Sequence, residues 1–220
     1  MTTTPKNNLP VVLLTGFNAF GGDAVNPSWL AVQAMQGEVM VGHAVVAAQL
    51  PTEFAASQTV LVELLRKHRP VLVLCVGLAG GREGLSIERV AINVQDARIA
   101  DNAGKQPIDI PIFKSGPAAY FSTLPIKAML QTLTSAGINA SVSQTAGTFV
   151  CNHVFYVLMH TLKKQRAPSK ARGGFVHVPY LPGQGLAYMP LEEMVRGLRV
   201  AITCALATHG DTVLGAGALS

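Results

Sequence analysis

Two short stretches of the chain are apolar almost throughout: Val11 to Thr15 (VVLLT) and Val71 to Val76 (VLVLCV). A strand with one wet face alternates apolar and polar side chains. A strand apolar on both sides belongs to a sheet covered on both faces, as in α/β proteins. The segments between such runs carry helix punctuation. Asn26-Pro27-Ser28 predicts a helix start, with Asn26 as N-cap and Pro27 at the first helical position. Thr52 is expected to cap a helix running to about Arg69, which Pro70 closes. Val41 to Leu50 and Ser86 to Val94 read as further strands, and Gln95 to about Pro125 as a long structured loop. A helix from Pro125 stops at Gly137, and Ile138 to Ser143 alternates as a half-buried strand. Val154, Phe155, Leu158, Met159 and Leu162 are spaced as one face of a helix. Gly174 to Val178 is a strand, and a last helix runs from about Pro190 to Thr208. Strands alternating with helices make this an α/β chain with helices over both faces of its sheet. No internal repeat or linker interrupts it, so residues 1–220 read as one domain, with residues 1–8 as a flexible tail.

In an open sheet of this class, functional groups gather at the carboxyl ends of strands. GFNAFGG, GLAGGR, QTAGTFVC and HVPYLPG all follow predicted strands and should meet along one edge. In the third of these, Cys151 stands at or just before the first turn of its helix. Unpaired N–H groups and the helix dipole favour negative charge there, which biases a thiol toward its reactive thiolate. A nucleophilic cysteine needs a base within hydrogen-bond reach. Of the six histidines, His153 points roughly 200° around the helix from Cys151, and His160 lies roughly 13 Å along it. His68 ends a helix, His43 begins a strand and so lies at the wrong edge, and His209 is in the tail. His177 remains, at the carboxyl end of the next strand. Glu83, Glu88, Asp96 and Asp101 are candidates to orient it. Glu88 stands in an apolar run (Ile87, Val90, Ile92) and must have a partner there, either Arg98 or His177.

Composition removes other classes. No apolar run approaches the length of a membrane span. MTTTPKNNLP has one lysine and no apolar core, so no signal peptide is expected. Three cysteines without metal-ligand spacing fit a reduced, cytoplasmic protein. Net charge is only +5. The basic cluster Lys163, Lys164, Arg166, Lys170 and Arg172 follows a helix C-terminus, and no aromatic side chains interleave to stack bases, so no nucleic-acid site is expected. Charged residues are 13% of the chain, which favours burial of a face in an oligomer. GLAGGR admits a second reading, as a phosphate cradle in a non-catalytic binder. It lacks the Lys-Ser/Thr of a P-loop and precedes a strand rather than a helix. A third reading is an assembly protein whose thiols are incidental.

The residues also resemble a family. TGFNAFGG with NPSW, VGLAGGR, IERVAINVQDARIADN, AGTFVCNHVFY and HVPYLPGQ match the segments of the pyroglutamyl peptidase I cysteine peptidases, in that family's order. The resemblance implies removal of N-terminal pyroglutamate by a Cys151–His177–Glu88 triad. It implies a three-layer α/β/α sandwich with a mostly parallel, mixed sheet. It further implies a cytoplasmic homo-oligomer, tetramer or dimer, without cofactor or metal. Its substrates are pyroglutamylated peptides. Phe17, Phe20, Phe149 and Val150 are expected to wall an apolar pocket for the uncharged lactam. Backbone N–H groups near Cys151, with Arg98, are the expected oxyanion support. One position departs: many members have Gln where this chain has Leu78.

Overall fold

The computed structural model describes residues 9–165 and 171–218. The expected tail, residues 1–8, lies outside them, as do Arg166 and Lys170 of the basic cluster. In chain order the first elements are β1 (Val11–Phe17), α1 (Pro27–Gln33), β2 (Val39–Met40), β3 (His43–Leu50), α2 (Phe54–His68) and β4 (Leu72–Leu78). Then come β5 (Leu85–Glu88), β6 (Val90–Ile92), β7 (Ala119–Phe121), α3 (Ile126–Ser135) and β8 (Ala140–Ser143). The chain closes with α4 (Val150–Lys164), β9 (Arg172–Val178) and α5 (Leu191–Ala207).

The main sheet has the order β2-β3-β1-β4-β9-β5-β8. Strands β3, β1, β4 and β9 are mutually parallel; β5 runs antiparallel to β9 and parallel to β8. The run of apolar residues in β1 and β4 has the expected cause. Val12, Leu14, Leu72, Leu74 and Val76 pack into a core shared with α1, α3 and α5. Leu13, Val73 and Cys75, which alternate with them, pack into a second core shared with α2 and α4. The three-layer α/β/α sandwich follows from this division.

Several local expectations are met, and others are corrected. Asn26 Oδ1 accepts the Ser28 N–H at 3.0 Å, as an N-cap should, with Pro27 at the first helical turn. Thr52 does not cap α2: its hydroxyl donates to the Asn18 carbonyl, and Asp101 Oδ2 accepts the Phe54 N–H at 2.9 Å from 47 residues away. The predicted strand from Ser86 to Val94 breaks at Arg89. Ile87 and Val90 are three residues apart, so the apolar phase flips there, and β6 leaves the main sheet to pair with β7. β7 itself lies in the stretch expected to be loop, which also contains the Gln95–Ile110 bridge. Helix α4 is buried well beyond one stripe, including Asn152, His153, Tyr156 and Val157, because α2 and the β6–β7 pair cover its outer side.

Strand β8 is one of the two edge strands of the sheet, and it runs against β9. GFNAFGG, GLAGGR and HVPYLPG leave parallel strands at one edge, as expected. QTAGTFVC leaves β8 lower down, since Ser143 is level with Glu88 and Glu88 with Phe175. Residues 144–149 climb back to the edge, held by Thr148, whose hydroxyl donates to the Asp96 carbonyl at 2.6 Å.

Candidate active site

Cys151 is the second residue of α4. Its position is fixed from one side by Asn152, whose amide accepts the Ile92 N–H at 2.9 Å and donates to the Ile92 and Val94 carbonyls. On the other side its sulfur rests over Gly77. A methyl group added to Gly77 would lie 2.8 Å from Cys151 Sγ and 2.8 Å from the Phe175 ring. Gly77 is in register with His177 on the adjacent strand, so both point to the α4 face of the sheet. The His177 ring lies 4.8 Å from that of Phe175, two residues before it. The thiol and the imidazole are thereby brought to one spot from β4, β9 and α4.

Glu88 is fully buried, and its Oε1 lies 2.7 Å from His177 Nδ1. A carboxylate only accepts, so Nδ1 carries the proton, and Nε2 keeps its lone pair for the thiol. The same oxygen accepts from Arg82 Nη1 at 2.8 Å. Arg82 also donates to the Thr145 carbonyl at 3.4 Å. Of the two partners proposed for Glu88, His177 is the one observed; Arg98 is exposed and makes no side-chain hydrogen bond or ion pair among the described residues. The guanidinium at the carboxylate is Arg82, which the sequence reading left inside a glycine-rich turn. The buried acid in the apolar run was its only signal: Glu88 had more acceptor capacity than one imidazole fills.

Burial pushes the Cys151 thiol up to about 12, and the Glu88 charge adds to the rise while Arg82 opposes it. Burial also lowers His177, against the hydrogen bond and charge of Glu88. Burial thus works against the thiolate that the helix position favours, and against the imidazolium as well. The remaining acids and histidines have other places. Asp101 is buried and accepts the N–H groups of Phe54, Ala103 and Lys105. His153 is buried with Nδ1 2.6 Å from Gln95 Nε2 and its ring edge-on to Phe54, and burial pushes it down to about 4. His160 pairs with the Tyr120 hydroxyl at 2.9 Å.

Phe17, Phe20, Leu78, Phe149 and Val150 line one crevice together with Cys151. Asn26 and Thr52 complete it, two residues that the sequence marked only as helix caps. The aromatic wall is held by Phe149, which contacts Phe20 at 6.2 Å and Phe54 edge-on at 5.4 Å. The free space is about 20 Å³, room for about one water molecule. A ring entering it must part the aromatic walls.

The family model described as pyroglutamyl peptidase matches residues 11–208. The pyrrolidone-carboxylate peptidase of Cupriavidus taiwanensis is 57% identical over 208 residues, covering 92% of this chain and 96% of that protein. That of Klebsiella pneumoniae is 51% identical over 212 residues, covering 94% and 98%. Among solved structures, pyroglutamyl peptidase I from Bacillus amyloliquefaciens superposes with a TM-score of 0.90 at 44% identity, covering 94% of this chain and 100% of its own.

Proposed function

The chain belongs to the pyroglutamyl peptidase family, cysteine peptidases that remove an N-terminal pyroglutamyl residue from peptides, and on that premise we propose that Cys151, His177 and Glu88 perform the reaction. The 2.7 Å contact between His177 Nδ1 and a fully buried Glu88, beside a thiol seated over Gly77, carries this reading.

The pyroglutamyl ring parts the crevice walls, and its uncharged edge meets Phe17, Phe20, Leu78, Phe149 and Val150. Cys151 Sγ attacks the adjacent carbonyl while His177 Nε2 takes the thiol proton, since burial disfavours charge on both groups before substrate reacts. The imidazolium that forms is stabilised by Glu88, and Arg82 holds that carboxylate in place at 2.8 Å. The developing oxyanion faces N–H groups in the first turn of α4, which lack intrahelical partners. Arg98 would have to swing inward to assist, so its role is the weakest of the set. His177 then protonates the departing amine, and water activated by the same nitrogen releases pyroglutamate from the thioester. Leu78 acts as an apolar wall, leaving lactam pairing to backbone groups.

We propose further that residues 1–220 form one peptidase domain, acting in the cytoplasm as a homo-oligomer without cofactor, metal or nucleic acid. No helix among the described residues is long and apolar enough to cross a membrane. Exposed Ile108, Phe121, Leu186 and Tyr188 supply apolar surface for assembly. The phosphate-cradle reading loses ground, since GLAGGR leads into β5 and Arg82 is engaged by Glu88. Turnover of pyroglutamyl-aminocoumarin tests the assignment. Cys151→Ser should abolish it, whereas Cys75→Ser and Cys204→Ser should retain it. Near-wild-type activity of Cys151→Ser would overturn the triad.

A further inference from the structure

The site borders a second cavity, wider than the crevice. It is a polar groove of about 480 Å³ lined by Arg82, Glu83, Ser86, Asn139, Ser141 and Ser143. Its relation to the thiol follows from strand register. Gly77 on β4 is level with His177 on β9, His177 with Ser86 on β5, and Ser86 with Ser141 on β8. Register partners share a face, so these four positions form one row across the sheet, with Cys151 above its first member. The crevice lies at the β1–β4 end of that row and the groove at its β5–β8 end.

We infer that this groove receives the peptide chain beyond the scissile bond, a deduction that rests on the triad assignment above. With the ring in the crevice, the amine that leaves must lie beside His177, which protonates it. The chain attached to that amine has the row through Ser86 and Ser141 as its path. Strands are spaced about 4.8 Å apart, so Ser141 lies roughly 10 Å beyond His177. An extended peptide covers that with about three residues. The chemistry of the lining fits a peptide backbone rather than one preferred side chain. It offers hydroxyls, an amide and one charge of each sign, with Ala140 as its one apolar side chain. Ser86 lies on the floor, a largely buried serine that lines the groove. Arg82 forms the boundary. Its side chain is 32% exposed to the groove side while one N–H is held by Glu88.

The test compares pyroglutamyl-aminocoumarin with pyroglutamyl peptides carrying one, three and five residues after the bond. For the wild type, kcat/KM should rise by about tenfold up to the third residue, the worth of one or two net hydrogen bonds, and then level off. Ser141 is exposed on an edge strand, so Ser141→Trp should fold, as a melting curve would verify. It should erase the gain, collapsing the ratio of five-residue peptide to aminocoumarin efficiency, while Ser141→Thr preserves it. A wild type that hydrolyses aminocoumarin but shows no length dependence, or a Ser141→Trp ratio equal to wild type, overturns the groove alone. A wild type inert on pyroglutamyl-aminocoumarin overturns the peptidase reading beneath it.

Discussion

Replacing Gly77 by alanine should disable the enzyme through one methyl group. That methyl would lie 2.8 Å from Cys151 Sγ and 2.8 Å from Phe175 Cζ, where ordinary contacts begin at 3.4 Å, so 3.4 − 2.8 = 0.6 Å must be found on each side. Phe175 cannot supply its share. It is fully buried between the rings of Phe17 and Phe155, at 6.4 and 5.9 Å. Cys151 is only partly buried, so its side chain takes up the strain and swings toward the crevice. A displacement of about 1 Å in a reacting group costs on the order of a hundredfold in rate, about 2.7 kcal/mol of barrier. Overpacking costs stability as well, roughly 1–3 kcal/mol. Turnover of pyroglutamyl-aminocoumarin should fall about a hundredfold in kcat with KM changed far less. Thermal melting reports the stability loss separately, and iodoacetamide alkylation reports that the thiol is still reachable. A folded Gly77→Ala enzyme with kcat within about threefold of wild type would refute the seating of the thiol over this glycine.

Three further outcomes follow from the same geometry. Glu88→Gln removes a charge-assisted hydrogen bond worth about 1.5–3 kcal/mol, so kcat should drop roughly 10- to 150-fold while KM moves little; an unchanged kcat would leave Glu88 a structural role only. The pH profile of kcat/KM should have its acid limb below 6.5, because burial lowers His177. It should remain flat through 9.0, because the thiol is pushed up to about 12; an alkaline limb near 9.0 would contradict that upward push. His153, pushed down from 6.5 to about 4, is a base that the unfolded chain protonates first. Stability should therefore fall as pH drops through that window, by about 1.4 kcal/mol per unit. His153→Gln should flatten the slope of urea-unfolding free energy between pH 6.5 and 4; an unaltered slope would assign the acid sensitivity to other groups.

How far the sequence reaches depends on the distance over which each feature is decided. Strands β1 and β4 were legible because burial on both faces leaves no polar position in them. The N-cap at Asn26 was legible because donor and acceptor are two residues apart. The start of α4 placed Cys151 in the first turn of that helix, and an acid in an apolar run called for a partner, which Glu88 has. What escaped was decided by contacts far along the chain. Asp101 takes the place at the head of α2 that local pattern gave to Thr52. The phase flip at Arg89 was present in the sequence, but a single slip in a half-apolar run reads as noise until β7 is seen to claim the second half. The half-buried pattern of β8 gave no sheet position, because its place at the edge depends on strands contributed by the rest of the chain. The burial that acts against the Cys151 thiolate was out of reach for another reason: a helix terminus is a local cue, and burial is a property of the assembled core.

The reversal of β5 has a further consequence. Because β5 runs against β9, Ser86 is level with His177 while Glu88 is level with Phe175, two residues deeper. A parallel strand would have ended its acid at the rim, among loops and water. Here the thiol, the imidazole and the carboxylate descend in that order from solvent into the sheet, and the negative charge sits where mobile ions do not reach. Surface charge pairs weaken as electrolyte is added, but buried ones are screened much less. The chemical step should therefore be nearly indifferent to ionic strength, whereas any contribution from Arg82 at the groove should fade in concentrated salt. One strand direction thus divides the site into a part that senses the medium and a part that does not.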